Sequence, residues 1–230
     1  MHMRLGRKTG PKPKFTAQQV IDAVLQIGLD TFTMSQVAAS LGVGAPSLYR
    51  LYNSRDDLVA ACLEDIARRQ PWVSPQSSWP DMLHAWARYC WQLCEAFPGF
   101  ALTLYTYPFP QVNFMKASAT IVEDFTATGL DKNLVLFALD FIGDTVISTH
   151  LGIGTYRVDS TDHARNELIK RNLELSNEQL GTDLSAFVYS RDPYRDFVEP
   201  KVAFIIAALE AGIRPPAHGL GHVAQVFTHE

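Results

Sequence analysis

Two short segments carry the same helix-start signal, and together they constrain the fold more than any other feature of the sequence. The segment "FTAQQV" places Thr16 as an N-cap with a glutamine three residues later, and "FTMSQV" repeats the arrangement from Thr33. This is a capping box, and the apolar residues around each cap can form a hydrophobic staple that fixes how the chain enters the helix. We therefore predict a first helix that runs to about Leu29 and a short second helix over 34–41.

The next segment, "LGVGAPSLYRLY", predicts a tight turn followed by a third helix. Gly42 supplies the backbone freedom that a turn between helices needs, and Pro46 suits the first turn of a helix, where its missing N–H costs little. Two helices joined in this way form a helix-turn-helix, with residues 46–52 as the recognition element. A fourth helix is expected after Ser54, a further N-cap. The predicted small core between the crossed helices contains Val37, Leu41, Val43, Leu48 and Leu51.

Charge is distributed unevenly along the chain. Residues 1–60 carry a net charge of +3 and the remainder −7, within a total of −4. The segment 1–14 is basic, contains glycine and proline but no acid, and is interpreted as a flexible arm that can follow phosphates or enter a minor groove. Each feature alone has a simpler interpretation, namely a solvated N-terminus or a helical hairpin that never touches DNA. Next to each other, they favour DNA binding.

The same residues resemble the N-terminal domain of the TetR family of bacterial transcriptional regulators. The likeness covers residues 13–60 closely, and beyond them it is limited to chain length and helical content. The family often has His-Phe where this chain has Leu51 and Tyr52, and often lysine where it has Arg55; both changes keep the physical role. The positions that carry the resemblance are Phe32, Thr33, Ala38, Leu41, Gly42, Val43, Leu48, Tyr49, Tyr52, Arg55 and Leu58.

The resemblance also implies which residues touch DNA. Thr33 would meet a phosphate from the N-terminus of its helix, and Arg50 could read a guanine with two hydrogen bonds. The basic arm would add contacts because of its charge. The residues expected at the DNA are Thr33, Tyr49 and Arg55 on phosphates, Ala45, Pro46, Ser47 and Arg50 at base edges, and Arg7, Lys8, Lys12 and Lys14 in the arm.

The remainder of the chain has helical periodicity and no strand pattern of consequence. We therefore expect an all-α fold in which an N-terminal three-helix helix-turn-helix domain precedes a larger helical ligand-binding and dimerisation domain. The segment 156–193 is polar, and we favour a mobile connection there over an arm that packs on a partner subunit. The predicted divisions are a flexible arm 1–14, a DNA-binding domain 15–58, a helical domain 59–212 and a disordered tail 213–230. The fourth helix is predicted to continue over 59–69, and the later helices are predicted at 81–97, within "PGFALTLYTYPFPQV", and at 112–128, 134–151 and 194–212.

Aromatic residues are concentrated between residues 86 and 114, and two later helices are unusually apolar. Such residues usually form a core, but here they also suit an apolar ligand pocket and a dimer interface built as a four-helix bundle. The candidate pocket residues are Trp86, Tyr89, Cys90, Phe100, Tyr105, Phe114, Phe141 and Thr145. The candidate dimer residues are Phe137, Phe141, Ile147, Leu151, Phe204, Ala208 and Ala211.

The sequence offers no motif for catalysis or for a cofactor, so we expect neither an enzyme nor a metal site. Its three cysteines lack the spacing of a disulfide framework and suit a reducing, cytoplasmic setting. Cys90 and Cys94 lie four residues apart near His84, and we interpret them as buried thiols rather than metal ligands. No apolar run approaches membrane-spanning length, and no nucleophile elbow or phosphate-binding glycine loop is present.

The expected function is that of a homodimeric, ligand-responsive DNA-binding regulator. The resemblance implies a repressor that a small apolar or aromatic effector releases from a palindromic operator. An activator or dual regulator of the same fold fits the sequence equally, because the sign depends on where the operator lies. A helical carrier or enzyme with a vestigial DNA-binding motif is the alternative from another class, and the intact motif and basic arm speak against it.

Overall fold

The computed structural model of the chain describes residues 15–75, 77–107, 112–156, 161–181, 185 and 189–215, without the side chains of 112–118, 155 and 156. All regular elements within these ranges are helical, which confirms the predicted all-α class. The predicted arm 1–14 and most of the predicted tail lie outside the described residues. The helices are α1 Ala17–Ile27, α2 Met34–Ser40, α3 Ala45–Leu48, α4 Arg55–Arg69, α5 Trp79–Ala96, α6 Phe100–Thr106, α7 Val112–Thr126, α8 Lys132–Tyr156, α9 His163–Leu180 and α10 Glu199–Glu210.

Both predicted capping boxes are present. The Thr16 hydroxyl accepts from the Gln19 N–H, and the Gln19 side chain accepts from the Thr16 N–H at 2.8 Å. The same reciprocal pair starts α2 at Thr33. Helix α1 ends two residues earlier than predicted, because Gly28 adopts a φ of +116° while its N–H still bonds to the carbonyl of Val24. The helix starts are therefore local features of the sequence.

Helix α3 is shorter than predicted. It comprises one turn, Ala45–Leu48, after which the N–H groups of Leu51 and Tyr52 both bond to the Leu48 carbonyl, at 2.9 and 3.0 Å. This tightening carries the chain out of the helix and turns Leu51 outwards. The prediction that Leu51 belongs to the small core is wrong, because 43% of it is exposed. Tyr52 packs against the core instead.

Two apolar clusters build the interior. The first unites α1 to α4 with the end of α5 and the start of α6, so it crosses the predicted domain boundary at 58–59. That boundary falls inside α4, which is one continuous helix from Arg55 to Arg69. The second cluster is formed mainly by α5, α7, α8 and α10, with α5 and α8 as its principal pair. Helix α4 therefore lies between the two halves of the chain.

Helix α8 is longer than predicted. The stretch Lys132–Gly154 has a mean hydropathy of 1.5 and is long enough to cross a membrane, so the expectation of no such run is wrong by length and composition. A helix inside a protein core passes the same test. Here Val135, Ala138 and Ile142 are fully buried in the second cluster.

The end of the chain differs in detail from the prediction. A π-helical turn, Tyr194–Val198, leads directly into α10, so the predicted helix over 194–212 consists of two types of helix. The polar segment before it contains α9, an 18-residue helix. Only Ile169 of α9 is buried, and Leu168 and Leu180 are mostly exposed.

Candidate nucleic-acid interface and internal cavity

The predicted base-reading residues lie at and after the single turn of α3. Pro46 of α3 is exposed, as are Tyr49 and Arg50, which directly follow the helix. Ala45 and Ser47, predicted to be exposed, are half-buried, and Ala45 packs against the first apolar cluster. The surface that α3 offers to a groove is thus one proline, one aromatic ring and one cation. Contact with DNA at these residues stays a prediction.

The Thr33 side chain is engaged within the protein. Its hydroxyl caps α2 by accepting from the Gln36 N–H at 3.2 Å, while its own N–H donates to the Gln36 side chain. The residue is exposed and lies at the N-terminus of α2, as expected. Its role at a phosphate stays a prediction.

Arg55 has a structural task that the sequence did not reveal. Its Nε donates to the carbonyl of Phe32 at 3.2 Å, and one Nη donates to the carbonyls of Leu29 and Asp30 at 3.0 and 3.1 Å. The guanidinium also lies 4.4 Å from the centroid of the Phe32 ring. Arg55 therefore fastens the turn between α1 and α2 to the start of α4. Its predicted phosphate contact would have to be made by the remaining part of the guanidinium.

An ion network joins α1 to the end of α4. Arg69 pairs with both Asp22 of α1 and Asp65, and Arg68 pairs with Asp65 and donates to Gln18 at 3.2 Å. The hydrogen bond from Arg69 holds the pKa of the Asp22 carboxyl below its ordinary value. Asp65 is 4% exposed, and its two arginine partners supply the compensation that a buried carboxylate requires. Movement of α4 would therefore strain its connection to α1.

A second connection between the two halves runs through two turns. The Leu29 N–H, in the turn after α1, donates to the carbonyl of Pro98 at 2.9 Å. Gly99 follows with a φ of +79°, and a Cβ built there would lie 2.6 Å from the Asp30 nitrogen. Only glycine allows this approach of two backbones. Helix α6 begins at the next residue, Phe100.

A cavity of about 140 Å³ lies between helices α4 to α8. Four of the candidate pocket residues line it: Trp86, Tyr89, Cys90 and Phe100. The contribution of α4 to the cavity wall was not predicted, although the helical spacing of its apolar residues could have indicated a face that points into the protein. The other lining residues are Leu63, Ile66 and Ala67 of α4, Leu93 of α5, Leu104 of α6, Ile121 of α7, and Gly143 and Ile147 of α8.

The polar groups of the cavity wall are already engaged or neutral. Trp86 donates from Nε1 to the carbonyl of Leu139 at 3.0 Å, and the Tyr89 hydroxyl donates to the carbonyl of Gln70 at 2.8 Å. Burial raises the pKa of Tyr89 to about 12 and raises the pKa of the Cys90 thiol further above its ordinary value. Both side chains are therefore uncharged at neutral pH, and the part of the wall that the structure describes carries no formal charge.

Three candidate pocket residues are not in this wall, and the side chain of a fourth lies outside the described residues. Tyr105 is 51% exposed, with its hydroxyl 3.5 Å from the carbonyl of Asp144, and Phe141 is 42% exposed. Thr145 is half-buried, and its hydroxyl donates to the carbonyl of Phe141 at 2.7 Å, within its own helix. Phe114 lies in α7, but its side chain is outside the described residues. Tyr105, Phe141 and Thr145 occupy outward positions of α6 and α8, which explains why they do not line the cavity.

The candidate dimer residues divide into two groups. Ile147 and Leu151 pack against the first apolar cluster inside the chain, and Ile147 also lines the cavity. The outward group lies on α8 and α10, two helices in contact with each other. Phe204 is 76% exposed, and Phe141 lies with its ring centroid 5.8 Å from that of the half-buried Phe137. The outward group consists of Phe137, Phe141, Phe204, Ala208 and Ala211.

The cysteines are free and buried. Burial raises the pKa values of Cys62 and Cys94 to about 12, so they are thiols at neutral pH and poor ligands for a metal ion. Within the described part of the chain, no three His, Cys, Asp or Glu side chains are grouped where they could hold a metal ion.

Comparisons with known proteins agree with this architecture. A family model described as "Bacterial regulatory proteins, tetR family" matches residues 24–62. The "HTH-type transcriptional repressor DrrR1" of Streptomyces coeruleorubidus is 29% identical over 172 residues, which is 72% of this chain. The aligned part spans only 58% of that relative's length.

Two solved structures from Streptomyces coelicolor share the fold. One is a possible TetR family transcriptional regulator, with a TM-score of 0.65 and 20% identity, covering 85% of this chain and 97% of that one. The other is the TetR family protein ActR in complex with actinorhodin, with a TM-score of 0.64 and 21% identity, covering 87% and 99%. At these identities, the likeness concerns the fold. It matches a helical architecture with the helix-turn-helix at the N-terminus.

Proposed function

We propose that the chain is a member of the tetR family of bacterial regulatory proteins, whose model its residues 24–62 match, and that it is a ligand-responsive, homodimeric transcriptional regulator. It would bind a palindromic DNA operator in the cytoplasm as a repressor and leave it when a small apolar or aromatic effector binds. The similarity to the repressor DrrR1 supports repression rather than activation. The described residues support the other parts, as follows.

One observation carries the proposal: α4 belongs both to the cavity wall and to the DNA-reading domain. Leu63, Ile66 and Ala67 line the cavity, while Arg55 at the start of the same helix fastens the turn before α2. An effector that prefers one position of α4 would therefore also prefer one position of α2 and α3. Effector binding and DNA binding then favour different positions of α4. Each of the two therefore lowers the affinity of the protein for the other by the same factor.

Two copies of α3 would be needed for specific binding, because one turn of helix reads few base pairs. A two-fold dimer presents two recognition elements about one DNA turn, ~34–36 Å, or slightly more apart. Phe141 of α8 and Phe204 of α10 suit such a partner, since both are exposed in the single chain. A change in α4 would then alter the separation of the two elements.

The direct test is selection of bound duplexes from a random DNA pool by the purified protein at moderate salt. We expect a palindromic consensus, because a two-fold dimer reads two half-sites. Recovery of no consensus over a range of salt, with and without candidate effectors, would contradict the proposal and favour a carrier or enzyme. The consensus would also locate the regulated promoters and so decide between a repressor and an activator.

The selected duplex then allows a test of the reading face. Tyr49→Ala should weaken binding to many sequences alike, because a phosphate contact carries no sequence information. Arg50→Ala should instead cost about 1–3 kcal/mol on the consensus and relax specificity at one position. The affinities are measured at fixed salt on the consensus and on single-base variants. Identical profiles for the two variants would contradict this division of roles.

A further inference from the structure

We propose that the cavity binds a neutral, ring-sized apolar molecule, and that Gly143 of α8 provides the space for it. The proposal rests on the proposed function only in identifying this cavity with the effector site. It specifies the ligand by size, charge and the residue against which it lies. The relevant observations are the volume of the cavity, the state of its polar groups and the surroundings of Gly143.

The volume sets the size of the ligand. The cavity measures about 140 Å³, and an engineered protein cavity of ~150 Å³ with an apolar lining stays dry and binds benzene. A molecule with one aromatic ring is therefore accommodated without movement of the walls. A larger effector would have to displace a helix of the wall before it could enter, because protein interiors are close-packed.

The wall sets the chemistry of the ligand. The Trp86 N–H and the Tyr89 O–H already donate to backbone carbonyls, and the remaining polar side chain, Cys90, is a neutral thiol with weak hydrogen-bonding capacity. Among the described side chains that line the cavity there is no carboxylate, ammonium or guanidinium. A charged ligand would be desolvated there without a partner, which is strongly unfavourable. A neutral apolar ring loses nothing comparable and gains contacts with Phe100 and the aliphatic side chains.

Gly143 indicates that the space is kept open by the sequence. Glycine in the middle of a helix is less stable than alanine, and here the backbone does not need it, because Gly143 is not among the glycines with positive φ. A Cβ built at Gly143 would meet no atom of the described residues within 4 Å. The residue lines the cavity, so any larger side chain would extend into the space now empty. Glycine at this position thus keeps the ring-sized volume available.

Gly152, on the same helix, provides a matched control. A Cβ built there also meets nothing within 4 Å, but this glycine is exposed and does not line the cavity. Gly143→Leu and Gly152→Leu therefore make the same chemical change in α8, one inside the cavity and one outside it. Gly143→Ala provides a smaller filling step should the leucine variant fold poorly.

The experiment measures binding of benzene, toluene, benzoate and benzylamine to the free protein by titration calorimetry. We expect saturable binding of benzene and toluene, and binding at least about 100-fold weaker for the two charged rings. Gly143→Leu should lower toluene affinity at least about tenfold, and Gly143→Ala less, while Gly152→Leu stays at the wild-type value. Circular dichroism and sedimentation confirm that fold and oligomeric state are unchanged.

Three results would overturn the inference. The first is binding of benzoate or benzylamine as tight as that of toluene. The second is unaltered toluene binding in folded Gly143→Leu. The third is a loss of dimer in that variant, which would mean that Gly143 serves a close approach of the partner helix. Because DNA is absent from this assay, the outcomes separate from those of the proposed function. If neutral rings bind but do not release DNA, only the regulator proposal is contradicted. If only charged or larger effectors release DNA, the inference about the cavity ligand is contradicted.

Discussion

Arg55 shows how one side chain can determine the geometry of the DNA-reading domain. The guanidinium donates hydrogen bonds to three backbone carbonyls in the turn between α1 and α2, and it lies over the Phe32 ring. Charge-assisted bonds of this kind are stronger than neutral ones, and a lysine lacks the flat, forked shape that makes them together. The turn that precedes α2 is therefore held by a residue at the start of α4.

We predict that Arg55→Met lowers the free energy of unfolding by about 2–3 kcal/mol, because the three carbonyls lose a charged donor. Arg55→Lys should recover only part of this loss. Urea unfolding at a fixed protein concentration measures both. Arg50→Met is the control: Arg50 is exposed, and the expected change in its unfolding free energy is within about 0.5 kcal/mol. Equal stability of Arg55→Met and Arg50→Met would show that the carbonyl contacts contribute little.

At the scale of elements, the two halves of the chain meet where the α5–α6 turn lies against the α1–α2 turn. Leu29 bonds to Pro98, and Gly99 approaches Asp30 so closely that a side chain has no room. Helix α6 carries Phe100 and Leu104 of the cavity wall directly after this contact. The turn between α1 and α2 is thus held by Arg55 at the start of α4 and also by the residues just before α6. The N-terminal ends of α4 and α6 contact the DNA-reading domain independently of each other.

We predict that Gly99→Ala lowers the free energy of unfolding by about 2–5 kcal/mol. The positive φ alone costs about 1–2 kcal/mol, and the clash with Asp30 adds about 1–3 kcal/mol. Gly129→Ala isolates the first contribution, because Gly129 has a φ of +90° but open space around its Cβ position. Thermal and urea unfolding of the two variants give the difference. If both lose the same stability, the close approach to Asp30 carries no energy.

These elements also show what the sequence could reveal and what it could not. The helix starts at Thr16 and Thr33 were predictable because a capping box is formed by residues three apart. The short α3 was not, since its end depends on how Tyr52 fits a core assembled from several helices. The aromatic density indicated Trp86, Tyr89 and Phe100 of the cavity wall. The part from α4 was missed because periodicity shows an apolar face without showing which helix it meets.

At the scale of the whole molecule, the exposed faces of α8 and α10 are the main unexplained feature of a single chain. Phe204 and Phe141 are large apolar side chains in water, on helices whose opposite faces are buried in the second cluster. Two small residues, Ala208 on α10 and Ala211 directly after its end, accompany them and permit a close approach of another helix. In a two-fold dimer the same patch is used by both subunits, so each substitution acts twice.

We therefore predict that Phe204→Glu converts the protein to monomers at micromolar concentration. Two carboxylates would be buried at one interface, each at a cost of several kcal/mol, so dimer affinity should fall by at least about 1000-fold. Val73→Glu is the matched control: Val73 is 78% exposed, close to the 76% of Phe204, but lies in the linker before α5. Sedimentation velocity distinguishes the two, with Val73→Glu expected to stay dimeric.

Phe204→Glu should also bind the selected palindrome with half-site affinity while its cavity still binds toluene, since Phe204 does not line that cavity. A dimeric Phe204→Glu protein would place the subunit contact elsewhere, and the exposed α9 would then be the next surface to substitute.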